Sequence, residues 1–224
     1  MFEDIIKILS NAEMVSYILE GLFHSILVTV IAAVLGLFLG FVVAVVKIAP
    51  DNKWMKPLKI ICNLYTTVFR GTPVALQLFI MVFAVFAIPG FKPYAAIITF
   101  GINSGAYVAE ILRGGIMSID NGQFEAGRSL GFNYVQTMFH IIIPQVFKSV
   151  LPTLCNEFIV LLKETSIAGY VGIMDLTKAG DRIRDITFKP LLPLIVIALI
   201  YLVMVVVLTA LVGVLERRLR RSER

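Results

Sequence analysis

Long apolar runs separated by short polar stretches dominate the chain. Residues 22–46 form a run of 25 residues without a charge, and further apolar runs cover residues 59–88, 94–112, 141–162 and 191–215. Because one crossing of a bilayer needs about 20 apolar residues, this pattern predicts five transmembrane helices. In the first run, Gly36 and Gly40 form a small-xxx-small spacing that permits close approach of another helix.

Composition supports a membrane protein. The 224 residues are 58% hydrophobic and 16% charged, with a mean hydropathy of +0.90. Five crossings leave little chain for a separate extramembrane domain, so we expect a single transmembrane domain over residues 1–224. The first 20 residues carry Glu3, Asp4 and Glu13 and do not form a cationic region, so a cleaved signal peptide is not expected.

The basic residues predict the orientation of the five helices. Twelve lysines and arginines fall on the side of residues 47–59, 113–148 and 217–224, and seven fall on the other side. Since lysine and arginine are enriched in cytoplasmic loops, the N-terminus is predicted to be outside and the C-terminus cytoplasmic. The same bias explains the net charge of +5 without nucleic-acid binding.

The sequence carries little that would support a metal or redox site. Cys62 and Cys155 lie apart in apolar surroundings, and His24 and His140 are also far apart in sequence. We therefore expect no metal, haem or disulfide. No Ser/His or paired-Asp arrangement with motif spacing is present either, which argues against a membrane-embedded hydrolase.

A polar segment at residues 118–144 interrupts the apolar pattern on the cytoplasmic side. Asp120, with Gln123 three residues later, resembles a capping box, and Gly131 is a typical helix stop. A short helix is therefore predicted between them, with apolar anchors at Phe124 and Leu130. Its small residues make a thin surface that suits docking into a groove of a partner. The alternative is a solvated connector between two membrane helices.

The spacing within this segment resembles the EAA loop of ABC-transporter membrane subunits, which reads E-A-A, three residues, G, nine residues, I-x-L-P. This chain has Glu-Ala-Gly at 125–127, Gly at 131 and Ile-Ile-Ile-Pro at 141–144. It departs from the pattern at Gly127 and at Ile143. The residues assigned by this resemblance to ATPase coupling are Glu125, Ala126, Gly127, Arg128 and Gly131.

Other stretches in the same order are similar to permeases for polar amino acids of the histidine, glutamine and arginine type. They are Phe-Arg-Gly-Thr-Pro at 69–73, Gly-Ala-Tyr-Val-Ala-Glu-Ile-Leu-Arg-Gly-Gly at 105–115, and the regions 152–158 and 163–166. The resemblance covers about residues 16–215. It implies an all-α membrane protein with the type I ABC importer permease fold: five transmembrane helices and a cytoplasmic coupling helix.

The resemblance also implies partners. Such permeases pair as homo- or heterodimers in the bacterial inner membrane, bind two cytoplasmic ATPase subunits and receive an amino acid from an extracytoplasmic binding protein. The chain contains no G-x-x-x-x-G-K-[ST] phosphate loop, so we expect ATP and Mg²⁺ to be bound by the ATPase subunits and no cofactor by this chain. We expect the chain to take part in ATP-driven import of a polar amino acid, with basic amino acids among the candidates.

Polar residues within the apolar runs are the candidates for substrate binding. Counting about 1.5 Å per residue places Arg70 roughly 17 Å, Asn103 roughly 14 Å and Glu157 roughly 24 Å into their helices. Ionisable groups at such depth are costly and usually face a partner or a polar cavity. Glu157 suits an α-ammonium or a cationic side chain, Asn103 suits an α-carboxylate, and Thr72 beside Arg70 is a weaker candidate.

Alternatives remain for these residues and for the whole chain. Arg70 either contacts substrate or forms an inter-helix ion pair with Glu110 or Glu157. Lys163 and Glu164 form part of an external gate or an ordinary solvated pair. The main alternative function is a secondary transporter or channel working without ATP, which would need coupling-ion ligands or a pore lining; a structural anchor is less consistent with charges inside the membrane.

Overall fold

The computed structural model describes the backbone of residues 2–221 and the side chains of residues 5–219. Over this range the chain is helical and contains no β-strand. The α-helices are α1 (Phe2–Ser10), α2 (Ala12–Ile48), α3 (Met55–Gly71), α4 (Val74–Ile80), α5 (Lys92–Met117), α6 (Asn121–Ser129), α7 (Tyr134–Thr137), α8 (Ile143–Glu164), α9 (Leu176–Thr187) and α10 (Leu192–Arg221). Two π-helical segments, Met81–Val85 and Met138–Ile142, and a 3₁₀ segment, Thr165–Val171, extend them.

Four of the described helical segments are long and apolar enough to cross a membrane: Ala12–Ile48, Lys92–Met117, Tyr134–Val171 and Leu192–Leu219. A fifth crossing is formed by Met55–Gly71 with Val74–Val85, which meet at an angle of 106°. The five predicted apolar runs therefore all correspond to helices. The second is much more sharply broken than the sequence indicated.

The close helix approach predicted at Gly36 and Gly40 is confirmed. A Cβ atom on Gly40 would lie 2.5 Å from Val108 Cγ1, and one on Gly36 would lie 3.1 Å from Ser104 Cβ. The buried face of α2 consists almost entirely of small residues, which allow α2 and α5 to pack along most of their length. This pair forms the centre of the bundle.

The bundle has two distinct ends. One, here called the α6 end, contains α6, α7 and the turn at 49–54; the other, the α9 end, contains α9 and the 3₁₀ segment. An apolar cluster of α1, α2, α9 and α10 stabilises the α9 end, and a second cluster joins α5, α6 and α8 at the α6 end. A third, between them, packs α2, α4 and α5 against the end of α8 and the 3₁₀ segment.

Pro144 explains the π-helical segment at the α6 end. Proline has no backbone N–H and its ring conflicts with the carbonyl four residues earlier, so regular α-helical hydrogen bonding is disfavoured just before it. The chain widens to a π-helix over Met138–Ile142 and becomes an α-helix again at Ile143. Pro152 lies inside α8, which continues past it.

Candidate functional site

The break between α3 and α4 lies at Thr72 and Pro73. Thr72 is extended, with φ −120° and ψ 147°, as expected for a residue that precedes proline. Pro73 then caps α4. The chain therefore turns sharply beside Arg70, and the last carbonyls of α3 need partners other than the next turn of a helix.

Gln77 and Asn103 supply those partners. The Gln77 Nε2 group donates to the carbonyls of Phe69 and Thr72 at 3.0 and 3.1 Å and to Thr72 Oγ1 at 2.8 Å. The Asn103 Nδ2 group donates to the Phe69 carbonyl at 2.9 Å and to Gln77 Oε1 at 3.0 Å. The Thr72 hydroxyl donates to Val68 O at 2.8 Å. This network ties the break in α3–α4 to α5.

The network changes what two of the predicted substrate ligands can do. Both amide hydrogens of Asn103 are used, and its side chain is only 2% exposed. The single hydroxyl hydrogen of Thr72 is used as well. A substrate carboxylate would therefore have to displace existing hydrogen bonds at either residue. In this arrangement both residues hold the backbone that carries Arg70.

Glu157 lies beside this network on α8. Ser104 Oγ donates to Glu157 Oε1 at 3.1 Å. The Arg70 guanidinium is positioned over the ring of Tyr107, 5.2 Å from its centroid, and its charge attracts the Glu157 carboxylate from beyond ion-pair distance. Arg70 is exposed and Glu157 half-buried, so both charges remain accessible.

Glu110 has partners other than Arg70. Its two carboxylate oxygens pair with Lys47 Nζ and with Arg113 Nε, the latter at 2.9 Å. The alternative in which Arg70 is locked by Glu110 is thus not the arrangement observed. Among the described residues Arg70 forms no ion pair with Glu157 either, and the contact observed for its guanidinium is the ring of Tyr107.

On each of the helices α3 and α8, exposed polar side chains recur at helical spacing and so form a stripe along one face. On α3 they recur at Asn63, Thr67 and Arg70, and on α8 at Thr153, Asn156 and Lys163. Elsewhere the exposed surfaces of the membrane helices carry large apolar residues. Because polar groups facing lipid are unfavourable, these two stripes indicate surfaces that meet a polar cavity or another protein.

The predicted helix of the polar segment is α6, Asn121–Ser129. Asp120 Oδ1 accepts from the Gly122 N–H at 2.6 Å, so the helix begins where expected. The second half of the capping box does not form, because the Gln123 side chain accepts from Gln145 Nε2 at 3.2 Å instead. That bond joins α6 to the start of α8. A complete capping box occurs one helix later, between Asn133 and Gln136.

Gly131 ends α6 as predicted. It has φ +81°, and its N–H donates to the Arg128 carbonyl at 2.9 Å, while the Phe132 N–H donates to the Gly127 carbonyl at 3.0 Å. This pair of bonds is a Schellman motif, which requires a left-handed residue at this position. A glycine adopts that conformation without the strain a side chain introduces.

Gly127 lies on the opposite face of α6 from the one expected. It is buried, and a Cβ atom there would lie 2.6 Å from Thr137 Cγ2 and 2.7 Å from Thr137 Oγ1. Its small size therefore permits close packing of α6 on α7 and does not thin the outer surface. Glu125, Ala126 and Arg128 are exposed and do form that surface.

The two apolar anchors of α6 point in different directions. Phe124 packs against the apolar cluster of α5 and α8. Leu130 is 71% exposed and lies next to the outward-facing residues of α6. Phe124 thus fastens the helix to the bundle, whereas Leu130 is free to contact a partner.

Sequence reasoning missed three residues of the site. Gln77 had a readable signal, since it is a lone amide between apolar residues of a predicted span. Ser104 directly follows Asn103 in the sequence, and Tyr107 belongs to the motif at 105–115. Nothing local in the sequence says that Ser104 meets Glu157, because 53 positions separate them.

Comparisons with known proteins extend over nearly the whole chain. Residues 36–221 match the family described as "Binding-protein-dependent transport system inner membrane component". The arginine transport system permease protein ArtQ of Bacillus subtilis (strain 168) is 39% identical over 212 residues, covering 93% of this chain and 95% of that protein. A putative glutamine transport system permease protein GlnP of Rickettsia bellii (strain RML369-C) is 36% identical, covering 98% and 99%.

Solved structures show the same architecture. A structure described as an amino acid ABC transporter with histidines has a chain with a TM-score of 0.86 and 38% identity, covering 94% of this chain and 97% of its own length. The MetNI methionine ABC transporter in an inward-facing conformation gives a TM-score of 0.76 at 20% identity, which supports the fold alone. The chain is therefore similar to these proteins over nearly its whole length.

Proposed function

The chain belongs to the family of binding-protein-dependent transport system inner membrane components, and from this we propose that it forms the path of a polar amino acid and couples it to ATP hydrolysis through α6. It is a multi-pass membrane subunit of an ABC importer for amino acids. Subunits of this kind are not catalytic; separate ATPase subunits hydrolyse ATP, and a binding protein is the other general partner.

Two accessible charges of opposite sign, Arg70 and the Glu157 carboxylate bound by Ser104, are the observation that supports the path. They lie within membrane helices, where lipid would exclude them. A zwitterionic amino acid carries the complementary pair. In our proposal Glu157 receives the α-ammonium or a cationic side chain, and Arg70 receives the α-carboxylate. Asn103 and Thr72 mainly position Arg70, and direct contact with the substrate is a secondary role for them.

The substrate class follows from the same chemistry. A carboxylate beside a guanidinium favours polar amino acids, and the relatives named for arginine and glutamine transport are consistent with this range. A substrate side chain with an extra positive charge would be attracted by Glu157 and repelled by Arg70. Arginine, lysine, histidine, glutamine and cystine are therefore the compounds to compare.

The polar stripes on α3 and α8 support a second permease subunit. In our proposal this subunit, identical or homologous, covers the stripes, so that the path runs between the two copies. The N-terminus lies outside and the C-terminus lies in the cytoplasm, which puts α6 within reach of cytoplasmic ATPase subunits. These subunits bind ATP and Mg²⁺, and Lys163 and Glu164 lie near the outer entrance.

The exposed face of α6 supports its role in coupling. Glu125, Arg128 and Leu130 project from a helix that Phe124, Gln123 and the close Gly127–Thr137 contact hold on the bundle. A helix fastened on one face and exposed on the other can transmit a push from a partner to α5 and α8.

Reconstitution of the whole complex tests this function. The chain is co-purified with its ATPase subunit and binding protein, placed in proteoliposomes and supplied with each of the five amino acids. ATP-dependent uptake of at least one, with matching stimulation of ATP hydrolysis, is the expected result. Gly131→Trp should abolish the stimulation, while Gly114→Ala, which meets open space, should not. Uptake driven by an ion gradient without ATP would support a secondary transporter instead.

A further inference from the structure

A polar junction at the α6 end joins three helices through one ammonium group. Lys47, in the last turn of α2, pairs with Glu110 on α5 and donates to Thr66 Oγ1 on α3 at 3.0 Å. Arg113 Nε holds the other oxygen of Glu110 at 2.9 Å. The side chains of Lys47 and Glu110 are only 9% and 16% exposed, so solvent screens this pair weakly.

Helix α3 depends on such contacts more than its neighbours do. Thr66 is the one buried residue of this helix, all of which is described. Helix α3 is linked to α5 by the hydrogen bond from Tyr65 OH to the Ile102 carbonyl, at 2.5 Å, by the Asn103 bond to the Phe69 carbonyl, and by the Arg70 guanidinium over the ring of Tyr107. Arg70 lies one turn beyond Thr66. A few polar contacts therefore decide where Arg70 stands relative to α5.

Helix α6 is connected to the bundle mainly through α7, the π-helical segment and the start of α8. Ile111 and Ile116 of α5 pack with Ile142 and Val146 of that region, and Phe124 of α6 packs against the same cluster. A displacement of α6 is consequently carried first into α8 and from there into α5.

The end of α2 lacks a comparable link to the segment that follows α6. An apolar groove of about 670 Å³ lies between them, lined on one side by Val45 and Ile48 and on the other by Met138, Phe139 and Ile143. At this level α2 and α3 receive a displacement of α6 through α5. The Lys47–Glu110 pair is the polar connection at that point.

We propose that Lys47 and Glu110 are positioning residues that relay the movement of α6 through α5 to α3, and so keep the displacement of Arg70 in step with ATP hydrolysis. The inference rests on the proposed function, because it assigns a task within the same transport cycle. Neither residue contacts substrate. Their contribution is to make three helices move as one body.

Lys47→Met tests the proposal with little risk to folding, because Glu110 keeps its bond to Arg113. The variant is reconstituted with its ATPase and binding protein, and uptake of radiolabelled L-arginine is measured per ATP hydrolysed; L-glutamine replaces it if the wild type takes up only that. We expect the ratio to fall about five-fold while stimulated ATP hydrolysis stays within about two-fold of wild type. Lys47→Arg should restore most of the ratio.

Two further variants separate relay from stability. Thr66→Val removes the bond from Lys47 to α3, together with the bond within α3 from Thr66 Oγ1 to the Asn63 carbonyl, and keeps the Lys47–Glu110 pair. It should lower the same ratio about two-fold, which decides the question if Lys47→Met does not assemble. Asp51→Asn removes the more exposed Lys59 ion pair at the same end and should leave the ratio unchanged. An unchanged ratio in Thr66→Val and Lys47→Met, or a parallel loss of uptake and hydrolysis, overturns the proposal. A wild type that takes up no amino acid overturns the proposed function itself.

Discussion

A Cβ atom on Gly127 would lie 2.6 Å from Cγ2 of Thr137, closer than two unbonded carbon atoms can approach. Thr137 is 2% exposed and held by its own hydroxyl bond to the Asn133 carbonyl at 3.1 Å, so it has little room to move. Here the chain departs from the E-A-A pattern, and the departure has a structural reason. The third position faces inward against a neighbouring helix.

Gly127→Ala, which restores the residue of the motif, is therefore expected to lower the stability of the folded protein. Alanine gains up to about 1 kcal/mol in helix propensity, but overpacking a buried contact costs about 1–3 kcal/mol. The apparent melting temperature of the purified complex and its stimulated ATP hydrolysis should both decrease. Adding Thr137→Ala should recover part of the loss. Gly114→Ala, with open space around it, serves as control; an equal loss there would exclude the proposed clash.

Gln77→Leu should loosen the break between α3 and α4. It leaves the Thr72 carbonyl without its side-chain donor and takes one of two donors from the Phe69 carbonyl, at a cost of about 1–3 kcal/mol. Because these carbonyls adjoin Arg70, uptake should decrease together with thermal stability. Thr209→Val, at an exposed polar residue on α10, is the control and should leave uptake unchanged. Unchanged thermal stability in Gln77→Leu would mean that other groups form hydrogen bonds with the carbonyls at the break.

Glu157→Gln should lower uptake about ten-fold or more, because it removes the negative charge beside Arg70 while keeping the volume. The loss should be greater for arginine and lysine than for glutamine. Ser104→Ala, which removes only the 3.1 Å hydrogen bond, should have a smaller effect. Asp185→Asn, an exposed carboxylate on α9, should have none. Full uptake with unaltered selectivity in Glu157→Gln would show that the site does not depend on this carboxylate.

Asp175 should make the stability of the complex depend on pH. It caps α9, accepting from the Lys178 N–H at 2.6 Å, and is 2% exposed. Burial raises its pKa from 3.8 to about 6, against the opposing effect of backbone N–H groups. The folded state therefore holds the proton that the unfolded state releases between these pH values. Its stabilising contribution is complete below about pH 4 and is lost as the pH rises through about 6.

Asp175→Asn isolates this effect, because asparagine caps a helix as well as aspartate does. Thermal unfolding of wild type and variant is compared from about pH 4.5 to 7.5. As the pH rises across this range, the free energy of unfolding of the variant should increase relative to that of the wild type by about 2 kcal/mol. A constant difference across this range would mean that Asp175 does not titrate there.

Much of the architecture can be read from the sequence because the bilayer acts on each residue directly. The five apolar runs correspond to helical segments, and Gly36 and Gly40 mark a real close contact with α5. Asp120 and Gly131 bound α6 because a cap and a left-handed turn are local events, decided within four or five residues. The family resemblance rests on similar local spacing.

The tertiary structure decided which of these residues meet. Glu110 pairs with Lys47 instead of Arg70. The amide group of Asn103 donates its hydrogens at the α3–α4 break, and Gly127 faces Thr137. Each outcome depends on the rotation of one helix relative to another that is distant in sequence. Hydropathy indicates that a helix crosses the membrane, and capping residues indicate where it ends. They carry no information about which face it turns to its neighbours, since that is determined by packing across the whole bundle.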